Sequence, residues 1–375
     1  MARTPLGQRL PDFPWDSLAE AKATAAAHPD GIVNLSVGGP VDEVAPSIQL
    51  ALASTAQESN YPTTAGLPEL REDIVAWLNR RYGVAGLSES SVLPVIGTKE
   101  AIAWLPTLLG CSGTVVIPEV AYPTYEVGAL LAGCTVVRAD SPEDWPDDAD
   151  IDLVFINSPA NPTGTVLGVE QLRAVVAAAR SRSAIVAADE CYIGLGWEDE
   201  HPPVSLLDDA VTDGDTTNLL ALHSLSKSSN LAGYRAGFIA GDDALIAELL
   251  EVRKHAGLMV PGPIQHAFRA ALNDDDQEQL QRLRYARRRA ALLPALLRAG
   301  FRVDGSEAGL YLWATRGEDC RATVDWLAEL GILVAPGDFY GPAGHQHIRM
   351  ALTGTDERIA AAVERLSAVA DTSAS

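Results

Sequence analysis

The sequence predicts an α/β fold, a mainly parallel sheet between helices, followed by a smaller α+β unit. Three observations predict it. From Val92 to Ala240 short apolar runs alternate with stretches whose apolar residues recur at helical spacing, the pattern of strand–helix–strand units with right-handed crossovers. The apolar runs end in polar residues: Asn157, Asp189, and Ser224 through Lys227. In parallel sheets ligands bind at the carboxyl ends of strands. Beyond residue 274 the pattern changes to one long helix and then a mixture of short strands and helices.

Composition sets the limits. The chain has 375 residues, 47% of them hydrophobic, enough for a sizeable core shared by two domains. No apolar run reaches the length of a membrane span, and the N-terminus MARTPLGQRLPDFPWDSL lacks the apolar core of a secretory signal. Cys111, Cys134, Cys191 and Cys320 are scattered without a CxxC pair, which reads as buried thiols in a reducing cytoplasm and not as a metal site. The net charge of −22 argues against a nucleic-acid partner, which calls for a basic face. An anionic substrate would be repelled by that field, so local arginines must overcome it.

Taken in order, residues 1–30 read as an extended arm with Pro5, Pro11 and Pro14, then a short helix from Asp16 to Ala27. Residues 32–37 are strand-like and lead into Gly38-Gly39-Pro40, where paired glycines permit close approach of a ligand to main-chain N–H groups. Helices follow over 47–59 and 69–81, with Tyr61 in the small-residue loop between them. The run 92–96 is a strand, and Gly97-Thr98-Lys99 opens a helix over 100–109. A helix N-terminus behind a glycine offers free N–H groups and a dipole to a phosphate. Strands are expected at 114–117, 135–138, 152–156, 184–188, 219–222 and 237–240, with helices at 125–132 and 169–180. Tyr122 falls in a loop after the second strand. Asn157 opens NSPANPTG, and Asp189 opens DECY. Helices are expected at 242–258, 263–272 and 274–299, the last with acids early, arginines late and a kink at Pro294. Strands at 301–303, 310–314, 332–334 and 348–351 and helices at 323–330 and 356–368 complete the chain, with Arg349 in the last strand.

The chemistry concentrates at LLALHSLSKSSNLAGYRAGFIA, residues 219–240. One lysine, Lys227, sits between serines at the end of a buried strand. Desolvation lets such an amine lose its proton and form a Schiff base with an aldehyde. The hydroxyls of Ser224 and Ser226 and the guanidinium of Arg235 suit a phosphate. Aldehyde capture beside a phosphate cradle points to pyridoxal 5'-phosphate (PLP).

These residues in this order resemble the fold type I PLP-dependent aminotransferases of class I/II, over nearly the whole chain. The most specific parts are SLSKSSNLAGYRAGF, NSPANPTG and DECY after a strand. The resemblance implies a large PLP-binding domain with a mainly parallel seven-stranded sheet over 41–274, a small domain over 275–375, and an N-terminal arm with part of the small domain over 1–40. It makes Lys227 the Schiff-base lysine and proton shuttle, with Asp189 the partner of the pyridinium nitrogen. Asn157 and Tyr192 would contact the ring's phenolic oxygen, Tyr122 would stack on the ring, and Gly97, Thr98, Ser224 and Arg235 would hold the phosphate. Lys99 and Ser226 flank that set. Tyr61 would reach the site of the neighbouring subunit of a homodimer. Arg349, helped by Asn157 and the backbone of Gly38, would clamp the substrate α-carboxylate. Ping-pong exchange between amino acids and keto acids follows.

Within the family, LSVGGPVDEVAP, HAGLMVPGPIQ, GLYLWATR and ILVAPGDFYGP are similar to actinobacterial N-succinyldiaminopimelate aminotransferases, which use glutamate in lysine and diaminopimelate biosynthesis. An aspartate or broad-specificity aminotransferase is the alternative, with a PLP β-lyase behind it. A substrate with a distal carboxylate needs a second cation, for which Arg316, Lys99 and Arg253 are the candidates.

Overall fold

The computed structural model describes residues 5–373; the first four residues of the expected arm and the last two of the chain lie outside. The strands are β1 Val33–Asn34, β2 Val92–Ile96, β3 Thr114–Ile117, β4 Thr135–Arg138, β5 Ile151–Asn157, β6 Ile185–Asp189, β7 Leu219–Ser224, β8 Ala236–Gly241, β9 Arg302–Asp304, β10 Tyr311–Thr315, β11 Ile332–Leu333, β12 Ala335–Pro336 and β13 Ile348–Ala351. A seven-stranded sheet has the order β2-β8-β7-β6-β5-β3-β4. Its pairings are parallel except those of β8, which runs antiparallel to both β7 and β2. The segment between β7 and β8 is too short for a crossover helix, so the chain must turn back.

Both faces of this sheet are covered, and its strands alternate between them. Leu153 and Phe155 of β5 and Leu220 and Leu222 of β7 join one apolar cluster. Val154 and Ile156, with Leu219 and Ala221, join the cluster on the other face. Continuous apolar strands are what a doubly covered sheet requires. A third cluster gathers the helix Ala19–Ala26, the later part of the helix Asp275–Arg298, and β10, β11 and β13. There β1 pairs in parallel with β11, and β12, β13, β10 and β9 form an antiparallel sheet.

The differences from expectation have local causes. The strand expected at 332–334 is β11, which pairs with β1, and a further short strand beyond it, β12, pairs with β13. The helix expected at 47–59 ends at Ser54, because Thr-Ala-Gln-Glu-Ser-Asn offers no further apolar face to bury. The helix Asp275–Arg298 runs through Pro294 as one element. No helix among the described residues is long and apolar enough to cross a membrane.

Candidate active site

Parallel pairing brings the polar strand ends together. Asn157 at the end of β5 pairs in register with Asp189 at the end of β6, and Asp189 pairs with Leu222 of β7. Ser224 then ends β7, and its hydroxyl accepts from the Ser226 N–H at 3.1 Å, capping the short turn Leu225–Ser228 that carries Lys227. These ends open into a cavity of about 550 Å³. Gly38, Thr98, Lys99, Tyr122, Asp189, Tyr192, Ser224, Ser226, Lys227, Arg235 and Arg349 line it.

The phosphate-type cradle rests on two unusual backbones. Gly97 adopts φ +75° before the helix Thr98–Leu108, and a Cβ there would collide with the Arg235 guanidinium. Arg235 itself sits at φ +58°, a conformation that costs a branched or bulky residue energy and persists where surroundings over-determine it. Its Nη1 donates to the Ala232 carbonyl at 2.9 Å. The helix behind the cradle is anchored by Glu100, which meets the fully buried Arg253 through bonds of 3.1 and 3.0 Å.

Burial shapes the charges. Asp189 is 5% exposed, and burial raises its pKa, opposed by bonds from Cys191 and Tyr125. Its Oδ2 accepts from the Tyr125 hydroxyl at 2.8 Å and its Oδ1 from the Cys191 N–H at 3.1 Å. Burial is also the main cause that lowers the Lys227 pKa, with Arg349 and Arg235 acting the same way. Tyr192 and Tyr311 meet hydroxyl to hydroxyl at 3.1 Å. Arg349 is 2% exposed and lies with its guanidinium carbon 4.0 Å from the Tyr311 ring centre. One of its nitrogens donates to Asn161 Oδ1 at 2.9 Å, another to the Ser36 carbonyl at 2.8 Å, while Nε is left without a partner.

Three residues expected at the site, Gly97, Asn157 and Tyr61, are not among those that line the cavity. Asn157 is turned toward backbone. Its amide donates to the Asp189 and Pro159 carbonyls at 2.8 and 3.1 Å and accepts from the Asn161 N–H at 2.7 Å. Every hydrogen-bonding side of that side chain is engaged by backbone, so Asn157 braces the loop. Asn161, the second asparagine of NSPANPTG, lines the cavity and meets Arg349. The motif holds both residues, and only their facing separates them. Tyr61 is 96% exposed and outside this chain's own cavity. Of the candidates for a distal carboxylate, Arg253 is committed to Glu100, and Arg316 pairs with Glu318 at 3.5 Å over Trp326. Lys99 alone of the three faces the cavity, its ammonium 5.6 Å from the Phe13 ring centre. Sequence reasoning passed over Tyr125 and Tyr311, which support Asp189 and Tyr192. Tyr125 stands three residues beyond Tyr122, and Tyr311 lies within GLYLWATR.

A buried carboxylate, a lysine with a depressed pKa, and a glycine-shaped cradle holding an arginine are the donor set that PLP needs: a partner for the ring nitrogen, one for the aldehyde and one for the phosphate. The family model for aminotransferase class I and II matches residues 30–366. The chain belongs to this family of PLP-dependent enzymes. It is 64% identical over 368 residues to the probable aminotransferase Rv1178 of Mycobacterium tuberculosis, covering 98% of this chain and 87% of that one. It is 55% identical over 362 residues to 4-dedimethylamino-4-oxo-anhydrotetracycline transaminase OxyQ of Streptomyces rimosus, covering 96% and 100%. Among solved structures, an aminotransferase from Neisseria meningitidis Z2491 superposes with a TM-score of 0.89 at 30% identity, covering 99% and 100%.

Proposed function

We propose that this aminotransferase converts N-succinyl-2-amino-6-ketopimelate with glutamate as donor, an N-succinyl-LL-2,6-diaminopimelate:2-oxoglutarate transamination in lysine biosynthesis, as a cytoplasmic homodimer. The observation that carries the reading is Lys99: a cation facing a 550 Å³ cavity that already has Arg349 for one carboxylate. A substrate with a distal carboxylate uses both.

When bound, PLP supplies an aldehyde for the amino group and an electron-accepting ring that makes the α-proton removable. Lys227 would take that α-proton as the base and hand it back as the acid; its desolvation favours the neutral amine that a base must be. Asp189, backed by Tyr125 and the Cys191 N–H, holds a proton on the ring nitrogen. Thr98 and the backbone at Gly97, with Ser224, Ser226 and Arg235, hold the phosphate. Tyr122 covers the ring, and Tyr192, kept in place by Tyr311, reaches its phenolic side. Arg349 binds the α-carboxylate, with Asn161 and the Gly38 backbone beside it. Tyr61, exposed in one chain, serves the partner's phosphate. The division at 41–274 and 275–375, with the arm joining the smaller part, belongs to the same reading.

The test is the absorbance of the purified holoenzyme on addition of glutamate, then of candidate keto acids. Faster recovery of the starting spectrum by the succinylated keto-pimelate than by oxaloacetate supports the proposal. Preference for oxaloacetate makes it an aspartate-type aminotransferase. Preference for a polycyclic ketone of the kind named for OxyQ, which the Phe13 and Trp15 rim of the cavity would accommodate, redirects it to that chemistry.

A further inference from the structure

The chain has four lysines, Lys22, Lys99, Lys227 and Lys254, and three of them line the one cavity described above. Lys254 is paired with Glu251 on the exposed face of its helix. In a protein of net charge −22 such clustering needs a reason. Lys227 and Lys99 have roles in the reading above; Lys22 has none. It stands on the helix Ala19–Ala26, exposed on its outer side, and forms no ion pair among the described residues. The wall around it is apolar, with Phe13, Trp15 and Leu18, and the cavity's sole lining acid is Asp189. A lysine carries a compact charge on a flexible stem, so it can follow an anion whose distance from the reacting carbon is large. An arginine, fixed by its planar fork, serves a carboxylate of set position, as Arg349 does.

We infer that Lys22, the second free lysine of the cavity beside Lys99, is a specificity-determining residue that binds the remote carboxylate of dicarboxylic substrates too long for that group to end at Lys99. The inference rests on the proposed class of long anionic substrate, not on the identity of the amino acid. It also gives the N-terminal helix a function, because the helix closes one wall of the site.

The experiment measures binding of α,ω-dicarboxylates from glutarate to sebacate, and of the monocarboxylate of each length, to the holoenzyme by calorimetry. In the wild type the long diacids should bind about tenfold tighter than their monoacids, as one charged hydrogen bond contributes. Lys22→Gln should remove that gain, and Lys22→Arg should restore much of it. The inference is overturned if Lys22→Gln keeps the gain, if diacid and monoacid affinities fall together, or if only Lys99→Gln removes it. A length-dependent gain lost with Lys22 supports it even where the succinylated substrate is not turned over, so the two readings fail separately.

Discussion

Arg349 is held by Asn161, by the Ser36 carbonyl and by the Tyr311 face. A lysine keeps the charge but loses the planar fork and the stacking. Arg349→Lys should therefore lower kcat/KM on the order of a hundredfold, chiefly through KM, in steady-state assays with glutamate. The paired asparagines separate by the same logic. Asn157→Ala leaves backbone groups at the β5 end unpaired and should lower stability by about 2 kcal/mol in denaturant unfolding, whereas Asn161→Ala should act on KM. Lys227 carries the pH prediction. Its folded pKa is depressed from 10.5, so its buried ammonium disfavours the folded state at neutral pH. As pH rises through the folded pKa the native chain loses that proton before the unfolded chain does, and stability rises. In cofactor-stripped protein Lys227→Met should raise the melting temperature at pH 7, with the difference narrowing toward pH 10.5. A lower melting temperature at pH 7 would count against the burial argument.

At the scale of elements, the turn between β2 and the helix Thr98–Leu108 depends on Gly97 at φ +75° against Arg235. Gly97→Ala places a side chain in a left-handed conformation and into the guanidinium. It should cost about 1–2 kcal/mol and release PLP on gel filtration of the holoenzyme. In the antiparallel sheet Asp304 of β9 is held down to about 2 by the Arg302 guanidinium, then by the His347 imidazole. The stability it contributes is fully present above its ordinary pKa of 3.8 and is lost as pH falls toward 2. Asp304→Asn should flatten that acid limb in a pH series of thermal melts, by less than about 1 kcal/mol because the pair is partly solvated.

The role proposed for Tyr61 belongs to the scale of the whole molecule. A tyrosine 96% exposed in a single chain acquires a purpose if a second copy covers it. Sedimentation should give twice the 39.7 kDa chain mass. Tyr61→Ala should weaken PLP retention without unfolding the protein. A monomeric holoenzyme with full activity would remove both the dimer and this role.

By itself the sequence determined the sheet of alternating strands and helices, the lysine after β7, the aspartate at the end of β6 and the arginine in β13. Periodicity and strand-end polarity are local properties, and local properties are written in sequence. It also determined the family, because motifs such as SLSKSSNLAGYRAGF combine residue types whose chemistry needs one another. Only the tertiary structure decided which asparagine of NSPANPTG faces the cavity, since Asn157 and Asn161 are alike in type and four residues apart. It alone committed Arg253 to Glu100 and drew Lys22 from the far N-terminus to the cavity wall. Which side a polar group faces is set by packing between distant segments, and no window along the chain contains both partners.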